Sequence, residues 1–236
     1  MAEGPAAVAG AASTVAEEPS ARLRAKIELA SAPLAVACQT LFEHEQLTTL
    51  LREYFIEVHA TIRATVPLLE TAAARAAAAE DDPVATGAAA YLAEHAEEER
   101  HHDEWLLEDL ELVGVDRGEV LERVPSPTVA RLVGAQYYWV LHYHPVAILG
   151  YLSVMEGSPP SNWLIDRLIE RSGFPRDAFR TYALHGELDA HHRDELDETI
   201  DALPLRPEHE ELLSLSALTT VEQLTRSVEE VLETAS

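Results

Sequence analysis

The sequence has few of the residues that would point to several common kinds of protein. It contains one cysteine, Cys38, which excludes an intrachain disulfide and a metal site built from cysteine alone. No run of about 18 apolar residues is present, so we expect no membrane-spanning helix. Lysine and arginine total 17 against 42 aspartate and glutamate residues. The resulting net charge of −25 argues against nucleic acid and anionic membranes as partners.

The remaining composition indicates one helical domain preceded by a short tail. Hydrophobic residues make up 47% of the 236 residues, which is ample for a core. Aromatic residues are scarce and alanine is frequent, which favours helix. Residues 1–19 lack the basic and leucine-rich segments of a signal peptide, so we interpret them as a disordered tail and expect a cytoplasmic protein. Residues 20–236 form the predicted domain.

Segments rich in proline and glycine recur along the chain and separate helical patterns. Because no strand alternation is evident, we predict an all-α, single-domain bundle of about seven helices. Pro67 and Pro145 interrupt two of these helices, and each is expected to kink or split its helix. The predicted helices cover residues 20–38, 46–79, 84–113, 128–156, 162–171, 176–202 and 219–234.

The most informative spacing lies within the predicted sixth helix. His185, Asp189 and His192 occupy positions i, i+4 and i+7, which places them on one face of a helix. Two imidazoles and a carboxylate that converge in this way can hold a transition metal with open positions. A second face with the same spacing occurs upstream, so the sequence suggests two metals. That second face consists of His95, Glu99 and His102.

Two neighbouring glutamates compete for the role beside His102. Glu99 and His102 fall on an apolar stripe of the predicted helix, whereas Glu98 and His101 fall on a more charged stripe. The pattern therefore favours Glu99 as the inward carboxylate. Glu98 is also within reach of His102 along the chain, and a solvated acidic run with incidental histidines is the alternative interpretation.

Two isolated carboxylates complete the set of candidate ligands. Glu70 lies on an apolar stripe, where a carboxylate is seldom buried unpaired, and a glutamate at the edge of the helix is the alternative. Glu156 shares a face with Leu149 and Leu152, so we expect it to be buried and partnered.

The order of the candidates along the chain carries more weight than any single pair. Acidic residues are so frequent that isolated Asp/Glu-x-x-His pairs arise by chance. The full order is the one expected when four helices of a bundle each supply inward ligands to a di-iron site. Carboxylates and imidazoles without a thiolate suit iron or manganese. The candidates are Glu70, Glu99, His102, Glu156, His185, Asp189 and His192.

The chain resembles the heme-oxygenase-like di-iron oxidases and oxygenases, in the branch of iron-containing redox enzymes. The resemblance rests on the segments 95–109, 143–157 and 185–192. It implies a heme-oxygenase-like helical bundle without heme, in which the seven candidates bind two Fe(II) ions and O2 is the co-substrate. It also implies that His185 is the ligand that separates this family from ferritin-like proteins. For His95 it implies no firm role, and an outer donor to a ligand is one interpretation.

The same resemblance implies an O2-activating oxygenase or oxidase of specialised metabolism. Its substrate would be a small amine, amino acid or carboxylic acid, changed by N-oxygenation or by oxidative C–C cleavage. A small-molecule substrate is the expected partner, and an external electron donor and a homodimer are left open. We expect the segment 136–144 to line the pocket, with a role in the core as the alternative.

Two other functions remain open from the sequence. One is a ferritin-like iron-binding or storage protein, which would share most of the ligands but would not need His185. The other is a metal-free, thiaminase-like relative of the same fold, which requires a nucleophilic cysteine in its pocket. Cys38 lies in an apolar stretch, so we interpret it as a small core residue that is poorly placed for this role.

Overall fold

The structure, a computed structural model, describes residues 18–157 and 159–235. For residues 187–190 it describes the backbone alone. The predicted tail lies outside the described residues except for its last two, and Pro19 is already the first residue of a helix. The candidate ligand Asp189 lies within a described helix, but its side chain is outside the described residues.

The all-α prediction is confirmed, since the described residues form eleven α-helices and one 3-10 helix. Within this part of the chain, no helix is long and apolar enough to cross a membrane. The helices are α1 (Pro19–Ala30), α2 (Ala32–Phe42), α3 (Leu47–Ala77), α4 (Pro83–Glu98), α5 (His102–Leu112), α6 (Arg117–Glu122), α7 (Pro127–His142), α8 (Ala147–Met155), α9 (Asn162–Ser172), the 3-10 helix (Arg176–Phe179), α10 (Arg180–Ala202) and α11 (Pro207–Glu233).

The predicted number of helices was too low, because short interruptions divide several of them. The helix predicted over 20–38 is interrupted at Ser31, and Pro33 stands in the first turn of α2, where a missing N–H costs little. The short helix α6 was not predicted. α11 starts well before the predicted residue 219, because Pro207 occupies the first helical turn and begins the helix.

The two internal prolines behave differently. Pro145 separates α7 from α8, so the split expected in the predicted helix over 128–156 is confirmed. Pro67 lies inside α3, which continues through it as one helix of 31 residues. The carbonyl of Pro67 accepts a hydrogen bond from the Thr71 hydroxyl at 2.7 Å, so this part of the helix gains a side-chain partner.

The long helices α3 and α11 form the centre of the bundle. α3 packs against α4, α5 and α7, and α11 packs against α1, α2, α7 and α8. The contact between α8 and α11 is so close that a Cβ added at Gly150 would lie 2.2 Å from the carbonyl oxygen of Leu213. α10 packs against α5 and α8, which brings together the segments that carry the candidate ligands.

Candidate metal centre

A break between α4 and α5 shapes the centre. α4 ends at Glu98 and α5 begins at His102, so the continuous helix predicted over 84–113 was wrong here. His101 has a φ of 71°, in the left-handed region that histidine tolerates better than most residues with a Cβ. Glu99 and His102 therefore lie on either side of a turn rather than on one face of a helix. The turn still directs both side chains inward, where 8% and 1% of their surfaces are exposed.

Three candidate ligands meet in what we call the first group, formed by Glu99, His102 and His185. One ligand atom from each residue lies within 4.8 Å of the others. His102 Nδ1 is 3.1 Å from Glu99 Oε2, and the rings of His102 and His185 meet edge to face with centroids 4.8 Å apart. The group thus offers one carboxylate and two imidazoles from three different segments.

A chain of hydrogen bonds fixes the orientation of His185. Its Nδ1 lies 2.8 Å from the carbonyl oxygen of Thr181. Because a carbonyl only accepts, Nδ1 must carry the proton, and Nε2 keeps its lone pair for a ligand. The Thr181 N–H donates in turn to Asp109 Oδ2 at 2.8 Å. Asp109 is fully buried in α5, so it ties the start of α10 to that helix.

The second group consists of His95, Glu98 and His192, which also bring ligand atoms within 4.8 Å of one another. Glu98 Oε2 lies 3.5 Å from His95 Nδ1 and 3.7 Å from His192 Nε2. The two histidines are 1% and 4% exposed, whereas the Glu98 side chain is 40% exposed. This group therefore has a buried imidazole pair and a carboxylate at its edge.

Glu156 joins the second group from the end of α8. Its Oε1 lies 2.7 Å from His95 Nε2. Its other oxygen, Oε2, is buried without a hydrogen-bond partner, and the same is true of Nδ1 in His95 and in His192. Buried polar atoms without partners are costly and rare in folded proteins. Three of them in one centre fit a bound metal ion, and the oxygen and nitrogen ligands suit iron.

The charges around His95 favour its protonated form in the metal-free protein. Burial lowers the pKa of His95, but the hydrogen bond and charge of Glu156, together with the charges of Glu99 and Glu98, outweigh this effect and leave the pKa raised. A metal ion would compete with that proton for the same lone pair. Metal binding in the second group should therefore release a proton.

In the first group, the pKa of His185 is shifted in the opposite direction. Burial is the main reason that the pKa of His185 is lowered, which favours the neutral imidazole that a metal ion requires. Burial raises the pKa of Glu99, but the hydrogen bond of His102 and the charges of His102, His95 and His185 reverse this and lower it. Glu99 thus interacts with histidines of both groups, and the two groups adjoin.

The structure brings together five of the seven predicted ligands. Glu99, His102 and His185 form the first group, His192 belongs to the second, and Glu156 contacts the second through His95. The side chain of Asp189 lies outside the described residues, so its role stays a prediction.

Glu70 is placed apart from both groups. Its side chain is 49% exposed, and its carboxylate accepts a hydrogen bond from Arg100 Nη2 at 2.7 Å. Its role as a ligand also stays a prediction.

The sequence interpretation left the roles of His95 and Glu98 open. The i, i+4, i+7 spacing predicted that His95 lies with Glu99 and His102, but the structure places His95 in the second group and the other two in the first. Glu98 was considered only as a substitute for Glu99. The structure instead places the two glutamates in different groups.

A cavity of about 1020 Å³ reaches two residues of the first group and Glu156, which contacts His95 of the second group. Glu99, His185 and Glu156 form part of its wall. No residue of the segment 136–144 lines it, so the expectation for that segment was wrong. Gln136 is instead buried against α11, where it accepts a hydrogen bond from Ser216.

Cys38 does line this cavity, contrary to the expectation that it is poorly placed in the pocket. Its thiol is half-buried, and burial raises its pKa to about 11. It is therefore a thiol rather than a thiolate at neutral pH, which makes it a weak nucleophile.

Comparison with solved structures shows which fold this is. The chain is similar to a domain of unknown function with a heme oxygenase-like fold from Shewanella denitrificans (TM-score 0.75, 19% identity, 91% of this chain and 92% of the other). It is also similar to a TenA homolog from Pseudomonas syringae pv. tomato (0.69, 12%, 92% and 96%). A third similar structure is a CADD-like protein of unknown function from Nostoc punctiforme (0.64, 20%, 91% and 98%). The fold is heme oxygenase-like.

The sequence itself identifies a family. No curated protein matches the chain. A family model described as iron-containing redox enzyme matches residues 50–223, which include every residue of both groups and most of the helical bundle. The chain therefore belongs to the iron-containing redox enzyme family.

Proposed function

We propose that this protein is a non-heme di-iron oxygenase or oxidase that uses O2 to oxidise a small organic molecule. The observation that carries the proposal is the pair of adjoining groups, one with Glu99, His102 and His185 and the other with His95, Glu98 and His192. Each offers two imidazoles and one carboxylate, a ligand set that suits iron with open positions. We take the metal to be iron because the description of the family names iron.

The residues of the centre have separable tasks in this proposal. The first group holds one iron, with His185 bound through Nε2 because Nδ1 donates to Thr181. The second group holds the other iron, and His95 serves it best when Nε2–H donates to Glu156 and Nδ1 binds the metal. Glu156 keeps Oε2 free as a further ligand. Two bound ferrous ions would supply the electrons that activate O2.

The cavity gives the substrate a place beside these ligands. Burial of His95, His102 and His192 limits the contact of these three side chains with bulk water. A substrate in the cavity would lie against Glu99, Glu156 and His185. An external electron donor and a homodimer remain further predictions.

Iron storage is the second candidate function, and the similarity to a TenA homolog raises a third, metal-free one. A storage protein has no need of an organic pocket that opens onto its metal ligands, so the cavity favours the oxygenase. The raised pKa of Cys38 argues against a nucleophilic thiol, so it disfavours the metal-free function.

One comparison separates the oxygenase from the storage protein. Wild type, His185→Ala and the control His191→Ala are loaded anaerobically with Fe(II) and mixed with O2, and iron uptake and O2 consumption are measured. His191 lies on the same helix with a side chain that is 74% exposed, so its replacement should change nothing. We expect His185→Ala to stay helical, since alanine favours helix. It should bind one iron fewer and lose rapid O2 consumption. Iron uptake far beyond two per chain, unchanged in His185→Ala, would establish storage instead.

A further inference from the structure

The starts of three helices meet at one cluster of polar side chains away from the candidate metal centre. Asp82 precedes α4, and its Oδ1 accepts hydrogen bonds from the N–H groups of Val84 and Ala85 at 2.9 and 3.2 Å. Its Oδ2 lies 3.0 Å from His144 Nε2. The rings of His144 and His209 are in contact, with centroids 4.8 Å apart. Asp82, His144 and His209, which we call the histidine cluster, therefore link the N-terminal ends of α4, α8 and α11.

Each histidine of the cluster accepts a hydrogen bond from the backbone at the start of its helix. The Val146 N–H donates to His144 Nδ1 at 3.1 Å, and the Arg206 N–H donates to His209 Nδ1 at 3.2 Å. Val146 and Arg206 are the N-cap residues of α8 and α11. Because a ring nitrogen that accepts carries no proton, both contacts require an unprotonated Nδ1. The neutral imidazoles are thus part of two helix starts.

The other nitrogen of each ring shows how a second proton would be received. His144 Nε2–H donates to the Asp82 carboxylate, so the neutral ring is satisfied at both nitrogens. His209 Nε2 lies 3.3 Å from Arg206 Nη2, and a guanidinium can only donate. Both nitrogens of His209 therefore face N–H groups, and a doubly protonated ring would place donor against donor on each side. The ring is 2% exposed, so water has little room to replace these partners.

The charges around His209 also oppose its protonation. Burial is the main reason that the pKa of His209 is lowered from its ordinary value of 6.5. The charges of His144, from the connection between α7 and α8, and of Arg206, from its own helix start, lower it further. Asp82, from the connection between α3 and α4, and Glu208 act in the opposite direction without reversing the shift. The positive ends of the helix dipoles meet at the same place and disfavour a cation there.

The cluster lies one helical turn from a very close contact between α8 and α11. Gly150 follows Val146 by four residues, and Leu213 follows His209 by four residues. A Cβ added at Gly150 would lie 2.2 Å from the carbonyl oxygen of Leu213. Since this contact leaves no room for a shift of either helix, it depends on both helix starts being held in place.

We infer that His144 and His209 form a pH-sensitive switch, in which the neutral imidazoles hold the starts of α8 and α11 and proton uptake opens them. No metal, O2 or substrate enters this switch, so it stands apart from the proposed function. An opened His209 takes up a proton near its ordinary pKa of 6.5, whereas the closed form does so only at lower pH. The stability that neutral His209 contributes is therefore fully present above that pH and is lost as the pH falls toward the lower pKa of the closed form. Each extra proton bound by the opened form favours opening by up to about tenfold per pH unit.

Amide hydrogen exchange of the wild-type protein tests the switch without any substitution. The full chain is used as purified at pH 7.5, 6.5 and 5.5, and exchange rates are corrected for the intrinsic effect of pH to give protection factors. We expect protection over residues 146–150 and 206–213 to fall by up to about tenfold per pH unit below 6.5. α9 contains no histidine and is the internal control. Protection at both helix starts that stays constant, or that changes only as much as protection in α9, would overturn the inference.

Two substitutions assign the acid response to the two imidazoles. His144→Asn and His209→Asn each place a side-chain oxygen near the position of Nδ1, so an acceptor for the backbone N–H remains but cannot be protonated. His142→Asn is the matched control, because His142 is an exposed histidine of the same segment. We expect His144→Asn to remove the acid response over residues 146–150 and His209→Asn to remove it over 206–213, whereas His142→Asn should keep both.

Urea denaturation gives a second measurement of the same switch. As the pH falls from 7.5 to 5.5, the unfolding equilibrium constant of wild type should rise relative to that of His209→Asn by up to about tenfold per pH unit. His142→Asn should follow wild type. A pH dependence that is the same in wild type and His209→Asn, or an acid response of exchange that persists in both cluster variants, would overturn the inference. If a cluster variant does not fold, the exchange of wild type alone decides.

Discussion

His95 Nε2 and Glu156 Oε1 lie 2.7 Å apart, and this contact joins α4 to the end of α8 inside the candidate metal centre. Both residues are buried, at 1% and 6% exposure, so the contact is shielded from water. It orients the His95 ring so that its other nitrogen faces Glu98. A carboxylate that orients a metal-binding histidine in this way is a common feature of protein metal sites.

Glu97, Glu98 and Glu99 follow one another at the end of α4, and their replacement should have sharply different effects on iron binding. Glu99→Gln should weaken the first site strongly, because among the described side chains Glu99 is the one carboxylate of the first group. Glu98→Gln should weaken the second site less, since the carboxylate lies at the exposed edge of its group. Glu97→Gln is the matched control, because Glu97 is exposed and paired with Arg100 outside both groups. Anaerobic Fe(II) titration of the three variants measures these effects.

Equal losses in all three variants would indicate a general effect of acidic charge rather than specific ligands. A loss that is greater in Glu97→Gln than in Glu99→Gln would contradict the assignment of the groups.

Asp109 should position His185 through the start of α10. Asp109→Ala leaves the Thr181 N–H without its acceptor, which should cost about 1–3 kcal/mol of stability. It should also weaken iron binding at the first site by about 10–100-fold, as expected for a lost outer partner of a ligand. Asp109→Asn keeps a side-chain oxygen for the same N–H and should restore both. Urea denaturation and Fe(II) titration are the measurements, and weak iron binding in Asp109→Asn at full stability would contradict a purely positional role.

Replacement of Asp109 should also change how the stability of the protein depends on pH. Burial raises the pKa of Asp109 in the folded protein above its ordinary value of 3.8. The protonated Asp109 side chain therefore contributes to stability below the pKa that it has in the unfolded chain. This contribution is lost as the pH rises through the higher pKa that it has in the folded protein. Asp109→Asn cannot ionise, so its stability relative to wild type should increase over this pH range and then level off. Urea denaturation of the metal-free proteins tests this, with Asp194→Asn, on an exposed part of α10, as the control.

The close approach of α8 and α11 should make Gly150 intolerant of any side chain. A Cβ at this position would lie 2.2 Å from a backbone oxygen of Leu213, which cannot move aside as a side chain could. We expect Gly150→Ala to destabilise the protein by about 1–3 kcal/mol. Gly134→Ala is the matched control, since nothing lies within 4 Å of the added atom, and alanine in a helix should stabilise by up to about 1 kcal/mol. If both substitutions changed the midpoint of thermal unfolding equally, α8 and α11 would be farther apart at Gly150 than described.

The thiol of Cys38 should react slowly and should be dispensable for oxidation. Its pKa of about 11, against an ordinary value of 9.0, leaves about a hundredfold less thiolate at pH 8 than in the unfolded chain. Alkylation by iodoacetamide should therefore be much slower in the native than in the denatured protein. Cys38→Ala should keep iron-dependent O2 consumption, and loss of that consumption in a variant that still folds would contradict a dispensable thiol.

Much of the candidate centre could be predicted because several of its residues are close together in sequence. His185 and His192 are held on α10 by helical spacing alone, and the pairing of Glu99 with His102 persists across the break between α4 and α5. The break itself was missed because its cause is backbone conformation at His101, a residue without the usual signature of glycine or proline.

The features that could not be predicted depend on contacts between distant segments. The ion pair of Glu70 with Arg100 joins residues 30 positions apart, and no periodicity in α3 reveals it. Likewise, the sequence could not show that Gln136 packs against α11 while Cys38 faces the cavity. Helical periodicity identifies the apolar face of a helix, but it does not say which neighbour covers that face.

The central claim is that two adjoining groups hold two irons, and the stoichiometry of anaerobic Fe(II) binding tests it most directly. Wild type and His95→Ala are dialysed against Fe(II) without O2, and bound iron is measured per chain, with circular dichroism to confirm that both remain helical. His95 is the informative residue, because its place in the second group comes from the structure. We expect two irons in wild type and one in His95→Ala. A single iron in wild type, or two in both proteins, would contradict the account.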